Sequence, residues 1–223
     1  MIEVTYLRHM GDDLSVVNAA RVSFANESEW EGWFELAKGD ERLINYLAKH
    51  SHKSPFNHQF FSFRVKAPIF VARQLVKHEY LPWNEVSRRY VKDDLEFYFP
   101  PQGDWRSAVD NVKQGSGEPL EQDLAEEIER RYSFLVNDAA ELYNFAIQHG
   151  LAAEQARMFL PQSLMTEWIW SGSFYAFIKM CHLRLDAHAQ KESKYVAEKV
   201  YKYLEELMPV STKAMIQYIG EHK

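Results

Sequence analysis

The sequence predicts an α+β fold, a small central antiparallel sheet flanked by long helices, organised as a single domain over residues 1–223. Three observations carry this. Apolar residues recur three, four or seven apart through long stretches of the second half. Strand-like segments are few, short and confined to positions before 100. No internal repeat and no Pro-, Gly- or Ser-rich linker divides the chain.

Taken in order, residues 2–7 are rich in Ile, Val, Thr and Tyr and read as a strand. Residues 12–24 open with Asp12 and continue with helical spacing, so a helix is expected there. Residues 25–39 read as a loop, and 40–49 as a helix with Asp40 as N-cap. In 59–66, Phe60, Phe61, Phe63 and Val65 stand among polar residues, which is strand-like. Pro68 suits a first helical turn, because its missing N–H has no partner to lose there, and the helix runs to about residue 79 before Pro82 stops it. A turn-like stretch follows, then a short aromatic strand at 96–99, closed by Pro100 and Pro101. Residues 102–118, with Gly103, Gly115 and Gly117, read as a surface loop and a plausible insertion site.

From 119 to 149, Leu120, Leu124, Ile128, Tyr132, Leu135, Leu142 and Ala146 form the inward stripe of one long amphipathic helix. Glu121, Asp123, Glu126, Glu127 and Glu129 make its acidic outer face. Further helices are expected at about 151–158, 162–185, 188–207 and 210–219.

Composition excludes several classes of protein. Hydrophobic residues make up 46% and charged residues 26%, the balance of a soluble globular chain. No apolar run is long enough for a membrane span. The first residues show no basic region leading into an apolar core, so no signal peptide and a cytoplasmic location are expected. The lone Cys181 excludes an internal disulfide and an all-cysteine metal site; it stands in an apolar helical run and reads as a core thiol. A net charge of −6 argues against nonspecific nucleic-acid binding.

The average conceals a local excess of the opposite sign. Residues 64–92 hold seven basic side chains against two acidic ones. Arg73 and Lys77 lie four apart on one helix face, with Gln74 and His78 beside them. Beyond Pro82, Asn84, Glu85, Ser87, Arg88 and Arg89 crowd together. Hydroxyl, amide and guanidinium donors so concentrated suit a phosphate or nucleotide; a solvated basic face is the alternative. His50, His52 and His58 fit no common zinc spacing, so no metal is expected; contact with an anionic or heteroaromatic ligand suits them better. Arg184 and His188 lie four apart, with Asp186 able to pair with either. Neither a Rossmann nor a P-loop glycine motif occurs.

These residues resemble the flavin-dependent thymidylate synthase family. Its signature reads Arg-His-Arg, seven residues, Ser; here it stands as Lys77-His78-Glu79, seven residues, Ser87. The segments 19–24, 52–58, 63–74, 84–90, 96–100, 156–161 and 183–192 resemble further family blocks in family order, covering most of the chain outside 102–150. The resemblance implies an enzyme, a methyltransferase that converts dUMP to dTMP. Methylenetetrahydrofolate would supply the carbon, reduced FAD the reducing equivalents, and NADPH the electrons for the flavin. It also implies a homotetramer with active sites where subunits meet.

By the same resemblance, Arg73, Gln74, Lys77, Glu85, Val86, Ser87, Arg88, Arg89, Arg157 and Arg184 match dUMP-binding positions, and Arg184 matches the catalytic arginine that polarises the uracil. His52, Ser54, Lys77, His78, Glu79, Glu85, Ser173, Tyr175 and Lys179 match flavin-contacting positions. Departures fall in the flavin half: Lys77 and Glu79 replace arginines, and Ser173, Tyr175 and Lys179 stand where many members carry Asn, Arg and Asn. FAD binding is still expected, more weakly or in a shifted pose. Two alternatives stay open: a related flavin methylase acting on another pyrimidine nucleotide such as UMP, and a non-catalytic nucleotide-binding homologue.

Overall fold

The computed structural model describes residues 1–33, 35–92, 95–110 and 115–220. The expected loop at 102–118 therefore lies partly outside the described residues. The fold is α+β, as expected. Four strands, β1 (Glu3–Met10), β2 (Phe60–Pro68), β3 (Trp83–Glu85) and β4 (Met165–Ser173), form one antiparallel sheet in the order β1-β2-β4-β3. The helices among the described residues are α1 (Asp13–Arg21), α2 (Lys38–Lys49), α3 (Ile69–Leu75), α4 (Gln122–Gln148), α5 (Ala153–Ala156), α6 (Phe174–Arg184), α7 (Lys191–Leu207) and α8 (Pro209–Tyr218). None is long and apolar enough to cross a membrane.

Period-two alternation along β2 decides which sheet face is buried. Phe61, Phe63, Val65 and Ala67 are fully buried, whereas Phe60 and Arg64 are exposed. The register sets Phe63 opposite Trp170 and Val65 opposite Trp168, so the two tryptophans of β4 share the buried face. Trp83 of β3 stacks on Trp168 at 4.2 Å between ring centroids. Helices α6 and α7 cover this face: Phe177 meets Phe63 edge-on at 5.1 Å, and Tyr203 lies 5.8 Å from Phe63. The opposite face carries exposed ion pairs, Arg64 with Glu167 at 3.0 Å and Lys66 with Glu96 at 2.5 Å, which contribute little to stability.

Several expectations are corrected. The helix expected over 162–185 is strand β4 followed by helix α6, the turn from one to the other falling at Ser173, whose Oγ accepts from the Ala176 N–H as N-cap. Asp40 is not an N-cap. Helix α2 begins at Lys38, and the buried Asp40 carboxylate instead pairs with Arg21, with Nη2 to Oδ1 at 2.5 Å. Pro68 ends β2 and caps α3, which stops at Leu75 rather than near 79. The stretch 83–85, expected as a turn, is the edge strand β3, and 96–99 forms only an isolated bridge from Phe97 to Leu164.

The stripe on α4 is corrected too. Ala125, Val136 and Tyr143 are its buried residues, while Leu124, Leu135 and Leu142 are roughly half exposed, together with Phe134 and Phe145. The helix therefore has a second apolar face, rotated away from the core.

Two features bring the site segments together. The chain from Tyr80 to Pro82 passes close over β4 at Gly172, where an added Cβ would lie 2.3 Å from Leu81 Cδ2 and 2.9 Å from the Tyr80 carbonyl oxygen. Only glycine permits that approach, and it carries the chain from α3 to β3. At the other end, the buried Asp13 carboxylate accepts from the Val210 and Ser211 N–H groups at 3.0 and 2.9 Å, tying the start of α8 to α1.

Candidate active site

The C-terminal end of α3, the C-terminal end of α6 and the start of α7 converge on a cleft of about 900 Å³. Gln74 enters it from α3, Lys77 from the turn that follows α3, and Arg184 from α6, with Phe70, Tyr98 and His188 around them. Arg73 is exposed on the same helix, outside the cleft lining. Arg184 is held at two points: its Nε donates to His78 Nε2 at 3.0 Å, and its Nη2 donates to the Gln74 carbonyl oxygen at 3.2 Å. Burial, then the charges of Arg184 and Lys179, push the His78 pKa down to about 4, so the imidazole is neutral at physiological pH. Burial also lowers the pKa of Arg184, whose guanidinium remains a cation at neutral pH.

The side-chain amide of Gln74 is fixed by α7. Ser193, fully buried, donates from Oγ to Gln74 Oε1 at 3.0 Å, and Gln74 Nε2 donates to Gln190. These two partners were absent from the sequence-based set, although both lie in or next to the family-like block at 183–192. The segment expected to be a mere surface loop forms a cleft wall through Asp104, Trp105, Arg106, Gly115 and Ser116. Asp104 accepts from Lys191 Nζ at 2.5 Å and from Arg106 Nε at 3.1 Å. Burial raises its pKa, but the hydrogen bonds from Lys191 and Arg106 leave it below the ordinary value. No motif marks this wall; glycines and polar residues are the common signature of any loop.

The other expected nucleotide contacts gather elsewhere. Glu85, Val86, Ser87, Arg88 and Arg157 line a second pocket of about 360 Å³ with Ile69 and Thr166. Strand β3 presents Glu85, whose carboxylate accepts from Thr166 Oγ1 at 2.7 Å and from Trp83 Nε1 at 3.0 Å. Ser87 Oγ accepts from the Arg89 N–H at 3.3 Å. Arg89 pairs with Glu154 at 3.4 Å, and Arg157 Nε donates to the Glu154 carbonyl at 3.3 Å, so Glu154 gathers both arginines.

A third, smaller pocket of about 190 Å³ is lined by His52, Lys53 and Tyr175, with the buried Leu47 and Met215. Lys53 Nζ lies 6.0 Å from the Tyr175 ring centroid. Ser54 is exposed in the adjoining turn, anchored by the buried Pro55 and Phe56. Ser173 is engaged otherwise: besides capping α6, it donates to Asn57 Oδ1 at 2.7 Å. Glu79 and Lys179, both departures from the family pattern, face each other at 4.0 Å. Cys181 is fully buried, its Sγ donating to the Ala197 carbonyl at 3.6 Å, and burial pushes its pKa up, so no thiolate is available for nucleophilic attack.

Comparison with known proteins shows the family of the chain. Residues 5–210 match the family described as thymidylate synthase complementing protein. The chain is 38% identical over 209 residues to a flavin-dependent thymidylate synthase of Thermotoga neapolitana, covering 94% of this chain and 88% of that one. It is 37% identical over 216 residues to the enzyme of the same name from Wolbachia pipientis, covering 96% and 73%. The crystal structure of the UMP/dUMP methylase PolB from Streptomyces cacaoi, bound with 5-Br dUMP, superposes with a TM-score of 0.86 at 30% identity, over 98% of this chain and 96% of that one.

Proposed function

The chain belongs to the flavin-dependent thymidylate synthase family, and from that premise we propose that it is a methyltransferase that converts dUMP to dTMP, with methylenetetrahydrofolate as carbon donor, FAD as cofactor and NADPH as reductant. The observation that carries this reading is Arg184, a cation tied by two hydrogen bonds in the lining of a nucleotide-sized cleft with Gln74 and Lys77, while the one cysteine is buried and protonated. A thiolate route to the pyrimidine has no nucleophile here. A route that needs only polarisation of the ring has its residue in place.

The roles divide by chemistry. Ser87, Arg88, Arg89 and Arg157 supply the hydroxyl and guanidinium donors that a phosphate dianion requires. Arg184 meets the uracil and stabilises the negative charge that develops when a ring N–H ionises. Gln74 is held by Ser193 and Gln190 in a single orientation, which fits a residue that reads a base edge.

The residues of the third pocket fit a flavin dinucleotide. His52 and Lys53, with Ser54 in the adjoining turn, offer donors to its diphosphate, and Tyr175 offers a ring face; Lys77 lines the first cleft, and His78 is bonded to Arg184 there. The family cation at position 79 is gone, but Lys179 brings a cation to the same spot, with Glu79 as its partner. When bound, the flavin supplies the reducing equivalents for the transferred one-carbon unit.

Two observations support a homotetramer with shared sites. The nucleotide contacts divide between two separate pockets of one chain, Gln74, Lys77 and Arg184 in one and Glu85 to Arg88 with Arg157 in the other. The second apolar face of α4 fits a further copy of the chain. Arg184→Ala and Ser87→Ala should each be nearly inactive. Co-expressed, they should form mixed oligomers that recover activity, because one composite site then holds both native residues. No recovery in mixed oligomers would place each site within a single chain.

The direct test of the reaction is product analysis. Purified protein incubated with dUMP, methylenetetrahydrofolate and NADPH should yield dTMP by chromatography. A second reading, methylation of UMP, is favoured by the likeness to a UMP/dUMP methylase. UMP assayed in parallel decides between them: product from UMP alone would overturn the dUMP assignment, and product from neither would overturn both.

A further inference from the structure

We propose that His78 is a positioning residue for the reaction: its imidazole nitrogen Nε2 holds the Arg184 guanidinium in the orientation in which it meets the pyrimidine. This rests on the reading of Arg184 as the group that polarises uracil, and it gives His78 a role distinct from contact with the flavin.

The geometry is specific. Arg184 Nε donates to His78 Nε2 at 3.0 Å, across 106 positions of sequence, and Nη2 donates to the Gln74 carbonyl at 3.2 Å. Two of the three guanidinium nitrogens are thus fixed by the segment 74–78, and among the described residues Nη1 has no hydrogen-bond partner, which leaves it to a ligand in the cleft that Arg184 lines. A planar guanidinium tied at two of its nitrogens keeps little rotational freedom, so the remaining donor is pre-aimed before substrate arrives.

Only an uncharged acceptor can do this. Nε2 accepts only when it carries no proton, which places the ring hydrogen on Nδ1. Burial together with the neighbouring cations Arg184 and Lys179 holds the ring in that state. A cation at position 78 would instead set two positive groups in contact. A carboxylate would form a tight ion pair and weaken the pull of Arg184 on the substrate. Neutral imidazole orients the arginine and leaves its full charge for the uracil.

The test is a double-mutant cycle on FAD-loaded protein, reading dUMP affinity by titration calorimetry and turnover by product formation. His78→Leu removes the acceptor. His78→Gln places an amide oxygen near the site of Nε2, and His78→Asn falls short of it. We expect His78→Leu to lose dUMP affinity or turnover on the order of tenfold or more, the size of coupling found between residues in contact. His78→Gln should recover most of that loss and His78→Asn little of it. In an Arg184→Ala background, His78→Leu should add no further loss, because the group it positions is gone.

Losses that multiply in the double variant would overturn the proposal. So would a His78→Leu protein that loses flavin absorbance while binding dUMP as the wild type does, since His78 would then serve the flavin alone. If His78→Leu fails to melt cooperatively, the contrast between His78→Gln and His78→Asn decides: equal activities would overturn the proposal. Failure of the family reading looks different. In that case the wild type itself makes no dTMP, whereas the coupling between His78 and Arg184 is still read from dUMP affinity.

Discussion

Replacing Arg184 by Ala is expected to slow dUMP turnover by about a hundredfold or more, about 3 kcal/mol of barrier, the cost of removing one preorganised donor aimed at developing charge. Arg184 is not a core side chain; it lines an open cleft and is tied by two hydrogen bonds to His78 and Gln74. Its loss should therefore leave the melting temperature nearly unchanged and flavin content intact. Rate falls because the guanidinium is a permanent charge in a site already fixed around it, so no reorganisation is needed when the ring ionises. Arg184→Lys should recover only part of the loss, since an ammonium cannot be held at Nε and Nη2 together. Turnover near the wild-type level in Arg184→Ala would remove Arg184 from the chemistry altogether.

Replacing Phe63 by Ala is expected to destabilise the fold by roughly 3–5 kcal/mol, measured as a shift of the urea midpoint with an unchanged slope. Phe63 is fully buried at the middle of β2. It sits opposite Trp170 in the register and touches Tyr6 of β1, Phe177 of α6 and Tyr203 of α7 at centroid distances of 5.1–6.3 Å. No neighbouring side chain can collapse into its volume without leaving one of these rings unpacked, so a cavity term adds to the lost transfer energy. A loss below about 1 kcal/mol would mean that the helices do not close over this face as described.

The fold class was legible because its signals are local. Strand β2 shows its buried face through Phe61, Phe63 and Val65, and α1 shows its cap at Asp12, whose Oδ1 accepts from the Ser15 N–H at 2.8 Å. Strand β4 was not legible. Met165 to Ser173 runs directly into Phe174, and an apolar aromatic run of that length fits a buried helix as well as a strand buried at the sheet centre. The stripe on α4 misled for a related reason. Periodicity finds apolar faces but does not say which one meets the chain's own core, and this helix carries two.

The site was legible in part. Donor-rich residues at 73–89 and the Arg184 block stand out as charge against an acidic background. Their assembly does not, because the contacts are long-range: Arg184 with His78, and Ser193 with Gln74 across 119 positions. The charge average of −6 therefore says little about ligands; the acidic residues of α4 offset a basic site far from them in sequence. The lone cysteine says more than it first did, since its complete burial closes the thiolate route as well as the disulfide one.

The most direct measurement is the absorbance of the reduced, flavin-loaded protein under anaerobic conditions. Adding methylenetetrahydrofolate and dUMP together should reoxidise the flavin with one dTMP formed per flavin, and leaving out dUMP should abolish the change. Reoxidation that does not depend on dUMP, or a purified protein that binds no flavin, would contradict the assignment of this chain as a flavin-dependent methylase of dUMP.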